Sequence, residues 1–389
     1  MNYDFDTVID RKALRADKWK RMPDGTIALS VADMDFRLMP EVIEAVKEAA
    51  ERGEFGYVGL GDDDYSAVIE WVKKRRGVTI PREHLIATPG VLYAARTAMY
   101  ALTKPGDKVV VQIPLHTPSI ATASMLGRIP VMNQLIYKDG KYSVDFDHLE
   151  NCFKNGAKVF MLCAPNNPTG RVWTREELET IGDIVSRYDG YVVSDEIHQD
   201  ILWDGHKHIS PVDIPILTDR SVAVFSTSKT FNMGGFHVGS TVIPNEDIRN
   251  NVVKRFYAHG HTCNRPSLLC AVAQTAAYTH GEEWYRQMMS YVKGNIALAK
   301  EMLADTPIHP NSPEGTFLLW ADITELKLNA DELRDVMRNK WRVVCDPGSY
   351  YDTKDFEDYH GVEHHIRINL ATPRTQLEEA LTRIREYTK

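Results

Sequence analysis

The sequence predicts an α/β protein, with a mostly parallel, doubly wound sheet flanked by helices and joined to a smaller α+β domain. Three observations carry that prediction. Short β-branched runs at 108–113, 158–164, 191–195 and 221–226 alternate with helical stretches such as 145–155 and 174–188. Those runs, Tyr191-Val192-Val193-Ser194-Asp195 among them, hold few polar residues, as strands do when helices cover both sheet faces. Beyond residue 280 the pattern changes to long helices at 282–303, 331–339 and 375–387 around isolated strands at 316–320 and 365–370.

The remaining elements follow from local chemistry. Residues 40–52 read as a helix because Pro40 suits the first turn, Val42, Ile43, Val46 and Ala49 recur at helical spacing, and Gly53 is a stop. A second helix over 65–76 ends at Gly77. The acidic run Asp62-Asp63-Asp64 before it suits a helix N-terminus, where the dipole favours negative charge, and lacks the spacing of a calcium loop. The stretch 174–188 opens on Thr174-x-x-Glu177, a capping box. The expected organisation is an N-terminal arm over 1–45 that joins the small domain, a large domain over 46–280 and a small domain over 281–389.

Composition narrows the class. With 389 residues, 43% hydrophobic and 26% charged, the chain is neither disordered, collagen-like nor a coiled coil. A net charge of −8 argues against a dedicated nucleic-acid binder. No apolar run approaches the ~18 residues of a membrane span, and the opening MNYDFDTVIDRKAL has no apolar core of a secretory signal. The expectation is a cytoplasmic protein. Its five cysteines, Cys152, Cys163, Cys263, Cys270 and Cys345, have no C-x-x-C spacing and read as reduced thiols.

In open α/β sheets ligands bind beyond the carboxyl ends of the strands. After 158–164 comes Pro165-Asn166-Asn167-Pro168-Thr169-Gly170; after 191–194 comes Asp195-Glu196-Ile197-His198; after 221–225 comes Ser226-Thr227-Ser228-Lys229-Thr230. An amide, a carboxylate, an imidazole and a lysine with hydroxyls thus share one rim. A lysine in a dry pocket can lose its proton and form a Schiff base with a carbonyl. Hydroxyls and backbone N–H groups at a turn hold a phosphate. A carboxylate against a pyridine nitrogen keeps it protonated and makes the ring an electron sink. Aldehyde, phosphate and pyridine together describe pyridoxal 5′-phosphate.

These motifs resemble those of the fold type I, aspartate-aminotransferase-like pyridoxal-phosphate enzymes, and are closer still to the cystathionine β-lyase (C–S lyase) group of the MalY/PatB type. V-A-D-M-D-F at Val31–Phe36, N-P-T-G-R-V-W-T at Asn167–Thr174, S-D-E-I-H-Q-D at Ser194–Asp200, G-H-K-H-I at Gly205–Ile209 and R-I-N-L-A-T-P-R at Arg367–Arg374 carry the likeness in order along nearly the whole chain. The resemblance implies a seven-stranded sheet. It makes Lys229 the Schiff-base lysine and acid/base, Asp195 the partner of the pyridine nitrogen, and Asn167 and His198 the partners of the cofactor's phenolic oxygen. Ser226 and Ser228 become phosphate ligands, helped by backbone N–H groups at Gly90, Val91 and Leu92. Arg367 becomes the clamp on the substrate α-carboxylate. Tyr57 resembles a tyrosine donated across a dimer interface to the partner's phosphate, which implies a homodimer with shared sites.

Two positions depart from the family pattern. The stacking aromatic of a P-x-Y loop is replaced in Pro114-Leu115-His116-Thr117-Pro118 by His116, and Met233-Gly234-Gly235-Phe236-His237 lacks the phosphate-binding arginine of many aminotransferases. The implied activity is β-elimination on cystathionine or a cysteine S-conjugate, giving thiol, pyruvate and ammonia. The alternatives are a class I/II aminotransferase acting on an L-amino acid, and a regulatory protein-binding role. Other patterns carry less. Ser226-x-x-Lys229 lacks the S-D-N and K-T-G partners of a serine β-lactamase. The pairs His206 with His208, His259 with His261, and His364 with His365 lack metal-site spacing, so no metal is expected.

Overall fold

The computed structural model describes residues 2–20, 22–57, 59–138, 140–260, 265–351 and 362–388. His261 and Cys263 lie outside them. The large sheet has seven strands: β1 (Leu85–Thr88), β2 (Lys108–Ile113), β3 (Ile129–Gln134), β4 (Ala157–Cys163), β5 (Tyr191–Asp195), β6 (Ser221–Phe225) and β7 (Gly239–Val242). Their order is β1-β7-β6-β5-β4-β2-β3. Neighbours are parallel except β7, which runs antiparallel to β1 and β6.

The apolar strand runs account for this arrangement. Val109, Val110, Val111, Val159, Phe160, Val192, Val193, Val222 and Val224 are fully buried, which strands achieve only between two helical layers. Each such side chain contributes about 1.5–3 kcal/mol relative to exposure. β1, β3 and β7 were not among the expected strands. β3 is an edge strand with mixed burial, and β7 is the short run Gly-Ser-Thr-Val, so neither shows a clear hydrophobic period. The Thr174 capping box forms as expected: Thr174 N donates to Glu177 Oε2 at 2.8 Å, and Glu177 N to Thr174 Oγ1 at 3.2 Å, at the head of helix Arg175–Arg187. The acidic run opens helix Asp62–Arg76.

A second sheet of order β8-β9-β11-β10 is antiparallel and comprises β8 (His309–Pro310), β9 (Leu318–Asp322), β10 (Asp346–Pro347) and β11 (His365–Asn369). Leu319, Ala321, Ile366 and Ile368 pack with Leu377, Leu381 and Ile384 of helix Arg374–Thr388. β9 begins two residues later than the sequence pattern implies. Thr316 adopts φ +69°, and its Oγ1 accepts from Leu318 N at 3.1 Å, so Thr316 and Phe317 form a turn. The helix expected at 331–339 is split into Ala330–Asp335 and a π-helical turn, Val336–Trp341. Near the N-terminus Ile27–Ala28 pairs in parallel with Val343–Val344, and Asp35 N donates to Ala371 O at 2.9 Å, so the V-A-D-M-D-F segment is tied to β11 and the turn after it. Among the described residues no helix is long and apolar enough to cross a membrane.

Candidate active site

Three loops beyond the carboxyl ends of β4, β5 and β6 bring the expected groups together. Asn166 shapes the first. Its Oδ1 accepts from Thr169 N at 3.2 Å and Thr169 Oγ1 at 2.7 Å, and Gly170 N donates to Asn166 O at 2.9 Å. This turn presents Asn167, which is buried and receives Arg367 Nη1 on its Oδ1 at 2.8 Å. Arg367 comes from β11, also buried; its Nη2 donates to Asp346, and its guanidinium lies 5.3 Å from the Tyr351 ring centroid.

Asp195 is the last residue of β5, and its Oδ1 accepts from Ile197 N at 3.1 Å. Burial raises its pKa to about 6; the nearby Glu196 adds to the rise, whereas the Ile197 N–H and Lys229 oppose it. Glu196 behaves differently. Although buried, it is held below the usual carboxylate range by His208, whose Nε2 lies 2.9 Å away, by Arg76 and by Ser210, whose hydroxyl donates at 2.6 Å. The His208 of the G-H-K-H-I motif thus serves as a partner of the buried Glu196. His198 is fully buried beside Phe317, with no partner for Nδ1 among the described residues. Burial, reinforced by the neighbouring Lys229, Arg367 and His116, lowers its pKa well below the ordinary histidine value, which favours the neutral imidazole.

Lys229 sits in the four-residue helix Thr227–Thr230. Thr230 Oγ1 donates to buried Asp200 Oδ2 at 2.8 Å, and Trp71 Nε1 donates to the same oxygen at 3.1 Å, which anchors the helix from behind. In front, Lys229 Nζ donates to Ala32 O. Burial lowers the amine's pKa; Arg367 pushes the same way, and Asp33 and Asp195 resist. A buried amine so shifted is neutral more often than an exposed lysine and is therefore a better nucleophile.

The other expected residues fall into place unequally. Ser228 has a half-buried hydroxyl, whereas Ser226 Oγ donates to Val238 O at 2.6 Å and accepts from Ser228 N at 3.1 Å, so that hydroxyl already caps the lysine helix. Thr227 Oγ1, in the same motif but not singled out from sequence, is buried and without a partner among the described residues. Gly90 precedes helix Val91–Leu102 with φ +121°, a conformation that favours glycine, and open space surrounds the position of its missing Cβ. Val91 is buried and Leu92 half-buried in that first turn. His116 sits at the N-terminus of helix Thr117–Met125; burial, with Arg367 and Lys229, lowers its pKa to about 4. Tyr57 is 95% exposed and stands apart from the rest of the site within this chain. Sequence reasoning also missed Ala32, Asp200 and Asp346. The first two stand inside motifs already read, but nothing in the sequence marks Asp346.

These residues fit pyridoxal 5′-phosphate. A buried carboxylate with a raised pKa calls for a cationic partner such as a pyridinium. The partnerless Thr227 Oγ1 and the N-terminus of a helix beside the space at Gly90 suit a phosphate.

Fold and site together define an enzyme of the aminotransferase-like pyridoxal-phosphate class. The chain belongs to the aminotransferase class I and II family, whose model matches residues 24–384. Within it the chain is similar to the cystathionine beta-lyase PatB of Bacillus subtilis, with 32% identity over 390 residues and 98% of each chain covered. Among solved structures it is similar to cystalysin from Treponema denticola, which contains a pyridoxal 5′-phosphate cofactor, at TM-score 0.93 and 31% identity over 99% of this chain and 98% of that one. It is also similar to the PLP-bound C–S lyase of Staphylococcus hominis, at TM-score 0.90 and 30% identity, covering 100% of this chain and 98% of the other.

Proposed function

We propose that the protein is a pyridoxal-phosphate-dependent C–S lyase. It cleaves cystathionine or a cysteine S-conjugate, with water, to a thiol, pyruvate and ammonia. The observation that carries the reading is the convergence of Lys229, Asp195 and Arg367 in one buried site, in a chain similar along its whole length to a cystathionine beta-lyase. The cofactor, when bound, supplies an aldehyde carbon and a ring that accepts electron density from the substrate. Arg367 binds the substrate α-carboxylate, oriented by Asn167. Lys229 Nζ, whose pKa burial lowers, takes the proton from the substrate Cα. Asp195 would hold a proton on the pyridine nitrogen, and the neutral His198 with Asn167 would hydrogen-bond the phenolic oxygen. Ser228, Thr227 and the amides of Gly90, Val91 and Leu92 would hold the phosphate, whereas the Ser226 hydroxyl, expected there from the sequence, is committed to Val238 O and caps the lysine helix instead. His116 takes the place of the stacking ring. Because its pKa lies near 4, it does so as an uncharged imidazole at neutral pH.

The working unit is a cytoplasmic homodimer in which Tyr57 reaches the partner's phosphate. Its nearly complete exposure in the single chain supports this, since an isolated surface phenol has no structural task here. Incubation with cystathionine distinguishes the lyase from the aminotransferase reading. Pyruvate together with free thiol is expected; amino transfer that depends on an added keto acid, without thiol, would reverse the order.

A further inference from the structure

Asp346 is a lone acidic residue at the start of β10, directly opposite Arg367 in the β10–β11 register. It is buried, and a single oxygen, Oδ2, receives both Arg367 Nη2 and Val31 N, the latter at 2.9 Å. The guanidinium is therefore held at two corners, by Asn167 and by Asp346, while its Nε remains buried and without a partner among the described residues. Nε is thus the guanidinium's one nitrogen without a protein partner among the described residues. The backbone partner is unusual as well. Val31 has φ +55°, a left-handed conformation that is strained for a β-branched residue. The peptides around it are pinned by Asp346 on its N–H and by Asn369 Nδ2 on its carbonyl at 2.8 Å. The next carbonyl, Ala32 O, is the acceptor for Lys229 Nζ. A buried ion pair is weak support for stability, because desolvation offsets the attraction, so its geometry calls for another account.

We propose that Asp346 is the positioning residue of the carboxylate clamp: one carboxylate oxygen sets the Arg367 guanidinium and fixes the Val31 peptide beside the carbonyl that holds the lysine amine. The proposal rests on the reading of Arg367 as the clamp. Asp346 spends its carboxylate on Arg367 and the Val31 peptide. It acts by presenting the free edge of Arg367 at one angle, so its loss weakens carboxylate binding more than it slows the chemistry.

The test uses the cofactor-loaded enzyme with Asp346→Asn, which keeps an acceptor at the same place, Asp346→Ala, Arg367→Lys and the double variant Asp346→Asn/Arg367→Lys. Steady-state kinetics on cystathionine are paired with titration by propionate, a carboxylate without a reacting amine, read from the cofactor's visible absorbance. Asp346→Ala is expected to raise KM and the propionate dissociation constant about tenfold with kcat within about twofold, Asp346→Asn less, and the double variant no more than Arg367→Lys alone. An Arg367→Lys enzyme with unchanged KM and propionate affinity overturns the clamp itself. If Arg367→Lys weakens propionate but Asp346→Asn leaves KM and propionate affinity untouched, the clamp stands and the role of Asp346 is overturned; this variant decides if the alanine enzyme does not fold. Additive losses in the double variant also overturn it.

Discussion

Arg367 and Asn167 stand 200 positions apart in the chain, yet Nη1 of the first donates to Oδ1 of the second at 2.8 Å with both side chains buried. That bond joins the small antiparallel sheet to the turn after β4. It places the buried guanidinium of β11 against the buried amide of the turn after β4, so the candidate site lies where the two sheets meet.

Lys229 is the expected attachment point for the cofactor. Borohydride treatment of the loaded wild type should add the mass of the reduced cofactor to the protein, and Lys229→Ala should show no such adduct by intact mass spectrometry. An adduct on the alanine variant would falsify the assignment of Lys229.

Asp195 gives a signed pH effect. Its pKa rises from 3.8 to about 6 on folding, so the folded cofactor-free chain holds this proton more tightly than the unfolded chain. The stabilisation from the neutral carboxyl is complete below about pH 4 and is lost as pH rises through about 6, at a cost on the order of 3 kcal/mol. Cofactor-free Asp195→Asn should therefore be more stable than wild type to urea at pH 8 and equal to it near pH 4, while binding the cofactor more weakly.

His116, with its pKa near 4, carries no charge between pH 5.5 and 8. His116→Tyr should thus leave the shape of the pH profile of kcat/KM unchanged across that range, while raising lyase turnover by restoring the phenol of the P-x-Y loop. Unchanged turnover in the tyrosine variant would show that the ring at this position is irrelevant.

Gly239 starts β7 against the Gly90 turn. A Cβ there would lie 3.1 Å from both Gly90 C and Thr88 Oγ1. Gly239→Ala should displace that turn, lower stability by about 1–3 kcal/mol and speed cofactor loss on dilution. Thermal denaturation and the rate of decay of visible absorbance measure the two effects separately.

Tyr57→Ala should change the stability of the isolated fold by less than about 0.5 kcal/mol, because the side chain is exposed, yet reduce cofactor affinity in the dimer. Mixing Tyr57→Ala with Lys229→Ala chains should restore one competent site per hybrid, since each defect then falls on the same site. Activity no higher than in either parent rules out sharing.

The class of fold and the strand-end residues proposed for the site are legible in the sequence alone. Strands buried on both faces must be apolar, so β2, β4, β5 and β6 were legible as runs, and the residues just past their carboxyl ends necessarily face the ligand crevice. Asp195 stands out because it ends its strand, and His198, Asn167 and Lys229 because each follows its strand within a few positions. The short strands β1 and β7 and the edge strand β3 have no comparable pattern; pairing partners, not periodicity, define them. Tertiary structure alone decided the relationships between distant segments. Ala32 meets Lys229, Thr230 meets Asp200, Ser226 Oγ is drawn to Val238, and Asp346 takes Arg367 and Val31 together. Hydrogen bonds between such segments depend on distances that chain folding sets, and no local sequence pattern encodes them. The same holds for the electrostatics: a carboxylate titrating near 6 and an imidazole near 4 result from burial, which exists only once the two sheets have closed over the site.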